Sequence, residues 1–148
     1  MTENEIAAYF RDRYPKRLIG KTVGLIGGLG AGKTYLVRTI LTRCSAEFSF
    51  QVGSPTYSFC NIYAADRMEV HHFDLYRIKL EEELYDIGVL ESMDNSELLT
   101  FVEWIDLFPD LEERCDLVVT IAGENAMREY CMFAKMNSLF HGNDNGVE

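Results

Sequence analysis

Gly27-Gly28-Leu29-Gly30-Ala31-Gly32-Lys33-Thr34 fits the spacing G-x-x-x-x-G-K-[ST], the phosphate-cradling P-loop pattern. A backbone that wraps a phosphate turns its N–H groups inward, where side chains would block the approach. Glycine enters the left-handed conformations this needs without steric cost. A helix starting near Gly32 adds the positive end of its dipole. Lys33 is then placed to reach β- and γ-phosphates, and the Thr34 hydroxyl to ligate Mg²⁺. Such a site also needs a carboxylate at the end of a neighbouring strand, to order the magnesium and its waters. Two acids qualify. Glu103 closes the apolar run Leu98-Leu99-Thr100-Phe101-Val102, and Asp74 sits within His71-His72-Phe73-Asp74-Leu75-Tyr76-Arg77. On an extended strand His72, Asp74 and Tyr76 share one face. A histidine and an acid there could handle a water or a metal, or form a hydrogen-bonded structural pair. Trp104 could stack on a ligand or partner, or belong to the core. Thr56, in Ser54-Pro55-Thr56, offers a hydroxyl able to sense a γ-phosphate.

These residues need elements to hold them. Thr2 with Glu5 three residues on has the form of a capping box, predicting a short opening helix that ends near Pro15. The stretch 22–27, short, apolar and β-branched, predicts a buried strand feeding the glycine loop. From about Gly32 to Arg43, Leu36 pairs with Ile40, and Val37 with Leu41 and Cys44, giving one apolar helical stripe. Residues 51–63 and 68–78 are rich in aromatic and β-branched types and are separated by Ala64–Arg67, so a hairpin is expected. Residues 80–88 read as a short helix stopped by Gly88. Residues 97–104 form a buried strand ending at Glu103, 107–115 a short helix with Pro109 in its first turn, and 116–123 and 129–136 two final strands. The pattern predicts an α/β fold: a single P-loop NTPase-like domain over 1–137 with a compact mixed central sheet flanked by helices. A frayed tail is expected over 138–148.

The chain has 148 residues and a formal net charge of -10, which opposes unaided binding to a polyanion. If it works near RNA, a partner does the holding. Four cysteines contain no C-x-x-C pair and read as reduced, mostly buried thiols of a cytoplasmic protein. The N-terminus has no apolar secretory region, and no apolar run approaches the ~20 residues that cross a bilayer.

In order and spacing, "GLGAGKT", "SPTY", "HFDLYR", "ELYDIG" and "FVEW" resemble the bacterial ATPase of tRNA threonylcarbamoyladenosine biosynthesis, the TsaE family, over about Thr2 to Lys135. The resemblance implies ATP and Mg²⁺ as cofactors and slow intrinsic hydrolysis. It also implies work with two partner proteins that modify the adenosine beside the anticodon, ATP hydrolysis resetting that complex, with tRNA met only through it. By position, it implies that Gly27 to Lys33 (Gly28, Leu29, Gly30, Ala31 and Gly32 among them) and Tyr35 meet the nucleotide and Thr34 the Mg²⁺. Thr56 falls in a switch-like segment, Asp74 in the motif whose acid supports hydrolysis, and Glu103 at the acidic position near Mg²⁺, with Trp104 beside it. Glu3 lies where the family approaches adenine, and Arg128 is implied to face the nucleotide. The chain departs from the family pattern at Gly28, where an acid is usual, and at Ile105, where proline often follows Glu-Trp. Neither change removes a group needed for phosphate or magnesium.

Two other functions share the loop. A small-molecule kinase would want a cationic lid, but after Lys79 only Arg114, Arg128 and Lys135 are cationic among lysines and arginines. An ATP-occupancy switch without useful turnover would not need both Asp74 and Glu103. A GTPase is disfavoured because N-K-x-D is absent.

Overall fold

The computed structural model describes residues 1–53 and 59–135. Ser54 to Ser58, with Thr56, and the expected tail over 138–148 lie outside the described residues. The elements are α1 (Glu3–Arg13), β1 (Thr22–Ile26), α2 (Lys33–Cys44), β2 (Cys60–Ala65), β3 (Met68–Asp74), α3 (Glu82–Asp86), α4 (Val89–Asp94), β4 (Leu98–Glu103), α5 (Pro109–Glu112), β5 (Leu117–Ala122) and β6 (Glu129–Ala134). The strands form one sheet in the order β2-β3-β4-β1-β5-β6. Strands β3, β4, β1 and β5 run parallel, and β2 and β6 pair antiparallel at the two edges. The mixed sheet is as expected.

Central parallel strands are covered on both faces and so read as continuous apolar runs; all six residues of β4 are buried. On one face α1 contributes Ile6 and Phe10, and α2 contributes Leu36, Val37, Ile40 and Leu41, against Val23, Leu25, Val70, Leu99 and Phe101. On the other, Leu84, Val89 and Leu111 from α3, α4 and α5 pack with Phe73, Val102 and Ile105. The capping box predicted at α1 is present, with Thr2 N–H donating to Glu5 Oε1 at 2.8 Å and Glu5 N–H to Thr2 Oγ1 at 3.1 Å.

Several expectations are corrected. Residues 51–53 are not strand, and β2 starts at Cys60. Gln51 is instead pinned beside β2 by side-chain bonds with Ala64, its Oε1 accepting from Ala64 N–H and its Nε2 donating to Ala64 O, both at 3.0 Å. The hairpin turn is Asp66-Arg67, both with positive φ, as a two-residue turn that matches strand twist requires. Strand β3 ends at Asp74, so Tyr76 does not continue the face of His72 and Asp74: Leu75 N–H turns to Glu103 O at 3.1 Å and Asp74 Oδ1 accepts from Tyr76 N–H at 2.9 Å. Gly88, at φ +81, ends one helix and begins another, α4, that the sequence reading lacks. Of the four cysteines only Cys115 is buried, while Cys44 and Cys60 are half-buried and Cys131 is exposed; none forms a disulfide. Burial pushes the thiols of Cys44 and Cys115 up to about 12 and that of Cys60 up to about 11.

Gly24 in β1 shows how tightly the second layer closes under the loop. A Cβ there would lie 2.8 Å from Ile105 Cγ2 and 3.0 Å from Cys115 Sγ. Ile105, where the family often has proline, thus fills the space that a glycine vacates. Gly24→Ala is expected to cost about 1–3 kcal/mol through overpacking, read as a lowered urea midpoint at unchanged slope. An unaltered midpoint would mean that Ile105 moves aside freely.

Candidate functional site

The open end of the sheet carries the chemistry. Strand β1 runs straight into the glycine loop, and α2 rises from it. Gly30 and Gly32 sit at φ +74 and +97, which calls for glycine, and a Cβ on Gly32 would meet the movable Arg128 guanidinium at 2.8 Å. Helix α2 begins with no side-chain cap and no acid in its first turn. Its first N–H groups, which have no acceptor within a helix, are thus left for an outside anion. With Gly32 at the N-cap, the missing side-chain cap forgoes only about a few tenths of a kcal/mol. Four fully buried side chains of α2, at about 1.5–3 kcal/mol each, hold the helix regardless.

Parallel pairing sets Asp74 opposite Glu103, and Glu103 opposite Leu25, so two acids end adjacent strands beside the loop. Thr34 Oγ1 donates to Glu103 Oε2 at 2.7 Å. The Lys33 ammonium donates to Gly27 O and Gly28 O at 2.7 and 2.8 Å and lies 4.1 Å from the centre of the Trp104 ring. Burial lowers the Lys33 pKa, and Glu103, Asp74 and Asp106 oppose that shift. Burial raises the Asp74 pKa; the Tyr76 N–H opposes this, and the Glu103 charge adds to it. Trp104 has φ +63, a left-handed backbone uncommon for a bulky residue. That turn swings the ring over Lys33 and against Tyr76, with ring centres 4.7 Å apart, while its N–H still bonds Leu25 O at 3.0 Å. Trp104 is therefore a wall of the site, half-buried and packed against the second apolar cluster.

A cleft of about 290 Å³ is bounded by Leu29, Gly30, Gly32, Lys33, Thr34, Tyr35, Asp74, Glu103 and Trp104. Nine of the sequence-selected residues thus line one cleft, while Gly28, Ala31, Glu3 and Arg128 do not and Thr56 lies outside the described residues. Ala31 turns its methyl into the core, and Gly28 lies off the cleft wall. Gly28 has no neighbour within 4 Å of a Cβ and no positive φ, so this loop position has room for the acid usual in the family. Arg128 lies against Gly32 and Tyr35, at the outer edge of the loop. Glu3 is not in the cleft wall; its Oε2 accepts from the Tyr130 hydroxyl at 3.5 Å. Two residues escaped the sequence reading in their actual roles. His72 is fully buried behind Glu103, with Nε2 2.5 Å from Oε2, and Tyr63 stands behind His72. Only the alternation of β3 hinted at His72. A larger hollow of about 450 Å³, between α5 and the outer face of β5–β6, collects only Glu112, Glu113 and Lys135 as charged groups.

Among the described residues no three His, Cys, Asp or Glu side chains group to hold a metal by themselves. A hydroxyl and a carboxylate in contact instead suit a hydrated hard cation, which takes one or two protein oxygens and fills its shell with waters and phosphates. No helix among the described residues is long and apolar enough to cross a membrane.

The chain is similar to several known proteins. The chain is 31% identical over 116 residues to the tRNA threonylcarbamoyladenosine biosynthesis protein TsaE of Rickettsia prowazekii, covering 78% of each chain. It is 32% identical over 115 residues to the protein of the same name from Haemophilus influenzae, covering 78% of this chain and 71% of that one. Its fold is similar to the crystal structure of Bacillus subtilis YdiB, with a TM-score of 0.58 at 19% identity, over 96% of this chain and 86% of that one. Residues 2–130 match the family model of the threonylcarbamoyl adenosine biosynthesis protein TsaE, and the chain belongs to that family.

Proposed function

We propose that this chain is a cytoplasmic, Mg²⁺-dependent ATPase that supports threonylcarbamoyladenosine formation in tRNA, its slow turnover resetting a transferase complex built from two partner proteins. The observation that carries the reading is the uncapped start of α2, set between Lys33 on one side and the Thr34–Glu103 pair on the other. Backbone N–H groups of the loop receive the phosphates. Lys33 exchanges its two loop carbonyls for β- and γ-phosphate oxygens. Thr34 and Glu103 hold the Mg²⁺, which when bound neutralises charge on the phosphates. Asp74 has Oδ1 occupied by Tyr76 N–H, which leaves Oδ2 to orient the attacking water. Its raised pKa suits a proton acceptor better than an ordinary aspartate would. Leu29, Tyr35 and Trp104 form the rim toward the nucleoside, with Arg128 and Glu3 beyond it. Lys33 is the only lysine or arginine in the cleft wall among the described residues, which favours hydrolysis over a kinase needing a cationic lid. The net charge of -10 leaves tRNA contact to the partners.

Reconstitution of the tRNA modification with the two partners tests this reading. Product is expected to stop near one equivalent of complex without this protein and to continue through many turnovers with it. Full multiple turnover in its absence would refute the role.

A further inference from the structure

Glu103 does not meet the cleft alone. Both of its donors, Thr34 Oγ1 at 2.7 Å and His72 Nε2 at 2.5 Å, land on Oε2, and neither uses Oε1. An ionised carboxylate only accepts, so the His72 proton facing it is on Nε2. In the neutral ring Nδ1 is then an acceptor, and the Tyr63 hydroxyl lies 2.8 Å from it. Burial raises the Tyr63 pKa, so the hydroxyl keeps its proton to donate.

That proton has two acceptors in reach, His72 Nδ1 and Gly53 O, the latter at 3.0 Å. Asn61 Nδ2 donates to Gly53 O at 3.1 Å and to the Tyr63 oxygen at 3.4 Å, which holds the Tyr63 hydroxyl beside His72. Gly53 N–H in turn donates to the Tyr63 oxygen at 3.3 Å. His72, Tyr63 and Glu103 are 0%, 2% and 3% exposed. The chain of bonds therefore runs through the sheet out of contact with water, from the edge strand β2 across β3 to the end of β4.

We propose that His72, braced by Tyr63, is the positioning residue for Glu103: it fixes the carboxylate through Oε2 and so sets the direction in which Oε1 and the Thr34 hydroxyl face the metal. The proposal rests on the reading of Thr34 and Glu103 as the Mg²⁺-bearing pair. It assigns a purpose to a histidine that touches neither phosphate nor cleft. Partners of this kind, one bond behind a metal-bearing carboxylate, typically set metal affinity or activity by 10–100-fold.

The test is metal binding rather than turnover alone. The ADP complex is titrated with Mn²⁺, standing in for Mg²⁺, and followed by electron paramagnetic resonance; ADP affinity is measured separately in EDTA. His72→Asn, whose short amide cannot reach Glu103, is expected to weaken Mn²⁺ binding about 10–100-fold and to leave metal-free ADP affinity unchanged. His72→Gln, with its amide nitrogen near the place of Nε2, is expected to recover most of the loss. Tyr63→Phe keeps the ring, removes only the hydroxyl, and is expected to show a smaller loss in the same direction. It carries the test if His72→Asn fails to fold. If His72→Gln binds Mn²⁺ as poorly as His72→Asn, or if folded Tyr63→Phe binds it as tightly as the wild type, the proposal is overturned while the ATPase reading stands. If the wild-type ADP complex binds no Mn²⁺, the metal reading fails and this proposal with it.

Discussion

Lys33→Ala is expected to weaken ATP binding by about 100-fold in calorimetry, with the fold intact. A hydrogen bond to a charged group contributes about 1.5–3 kcal/mol, or roughly 10–150-fold, and Lys33 is proposed to make more than one. Its ammonium is satisfied by Gly27 O, Gly28 O and the Trp104 ring, so part of what it gains from phosphate is lost from these. That exchange keeps the expected effect within the range of a single charged bond, near its upper end. Folding should survive, because the four buried aliphatic residues of α2 do not depend on this side chain. A melting temperature within a few degrees of wild type is the control. Burial lowers the Lys33 pKa, and only the protonated form attracts phosphate. Affinity should therefore decline on the alkaline side at a lower pH than an exposed lysine would give. Unchanged nucleotide affinity in the alanine variant refutes the assignment of the loop.

Glu103→Gln is expected to reduce kcat by about 100-fold or more, the scale of a lost acid–base or charge-orienting group, with ATP affinity altered far less. Both donors to Glu103 land on one oxygen. A glutamine carbonyl in the place of Oε2 can accept both bonds, so the variant removes charge without orphaning Thr34 or His72. Glu103→Ala is the poorer probe: it leaves the buried His72 imidazole without its partner on Nε2, at about 1–3 kcal/mol. Steady-state turnover and calorimetric binding, measured on the same preparation, decide the matter. Equal losses in both would show that Glu103 is mainly a binding residue.

What could be seen in the chain beforehand follows from how local each signal is. The loop 27–34 is a contiguous pattern framed by an apolar strand and a striped helix, so it was readable with its neighbours. Glu103 stood out because an acid at the end of a wholly apolar run has few structural reasons to be there. The sequence ranked Glu103 above Asp74 by position but did not say which of them positions an attacking water; in the structure Glu103 accepts from the Thr34 hydroxyl, while Asp74 spends one oxygen on its own turn. The brace behind Glu103 was hidden because Tyr63, His72 and Glu103 come from three strands and meet only once pairing is set. Helix α4 was missed because Gly88 reads as a helix stop, whereas its left-handed backbone also starts a second short helix. Trp104 left two readings open because its outcome depends on a left-handed backbone that no local rule assigns to tryptophan.

The central place of β1 has a kinetic meaning. Its partners on either side, β4 and β5, are made long after it along the chain, and contacts between distant segments form slowly. The glycine loop is therefore synthesised well before the strands that flank β1. A growing or truncated chain that lacks β4 and β5 carries the glycine loop without the strands that flank β1 on either side.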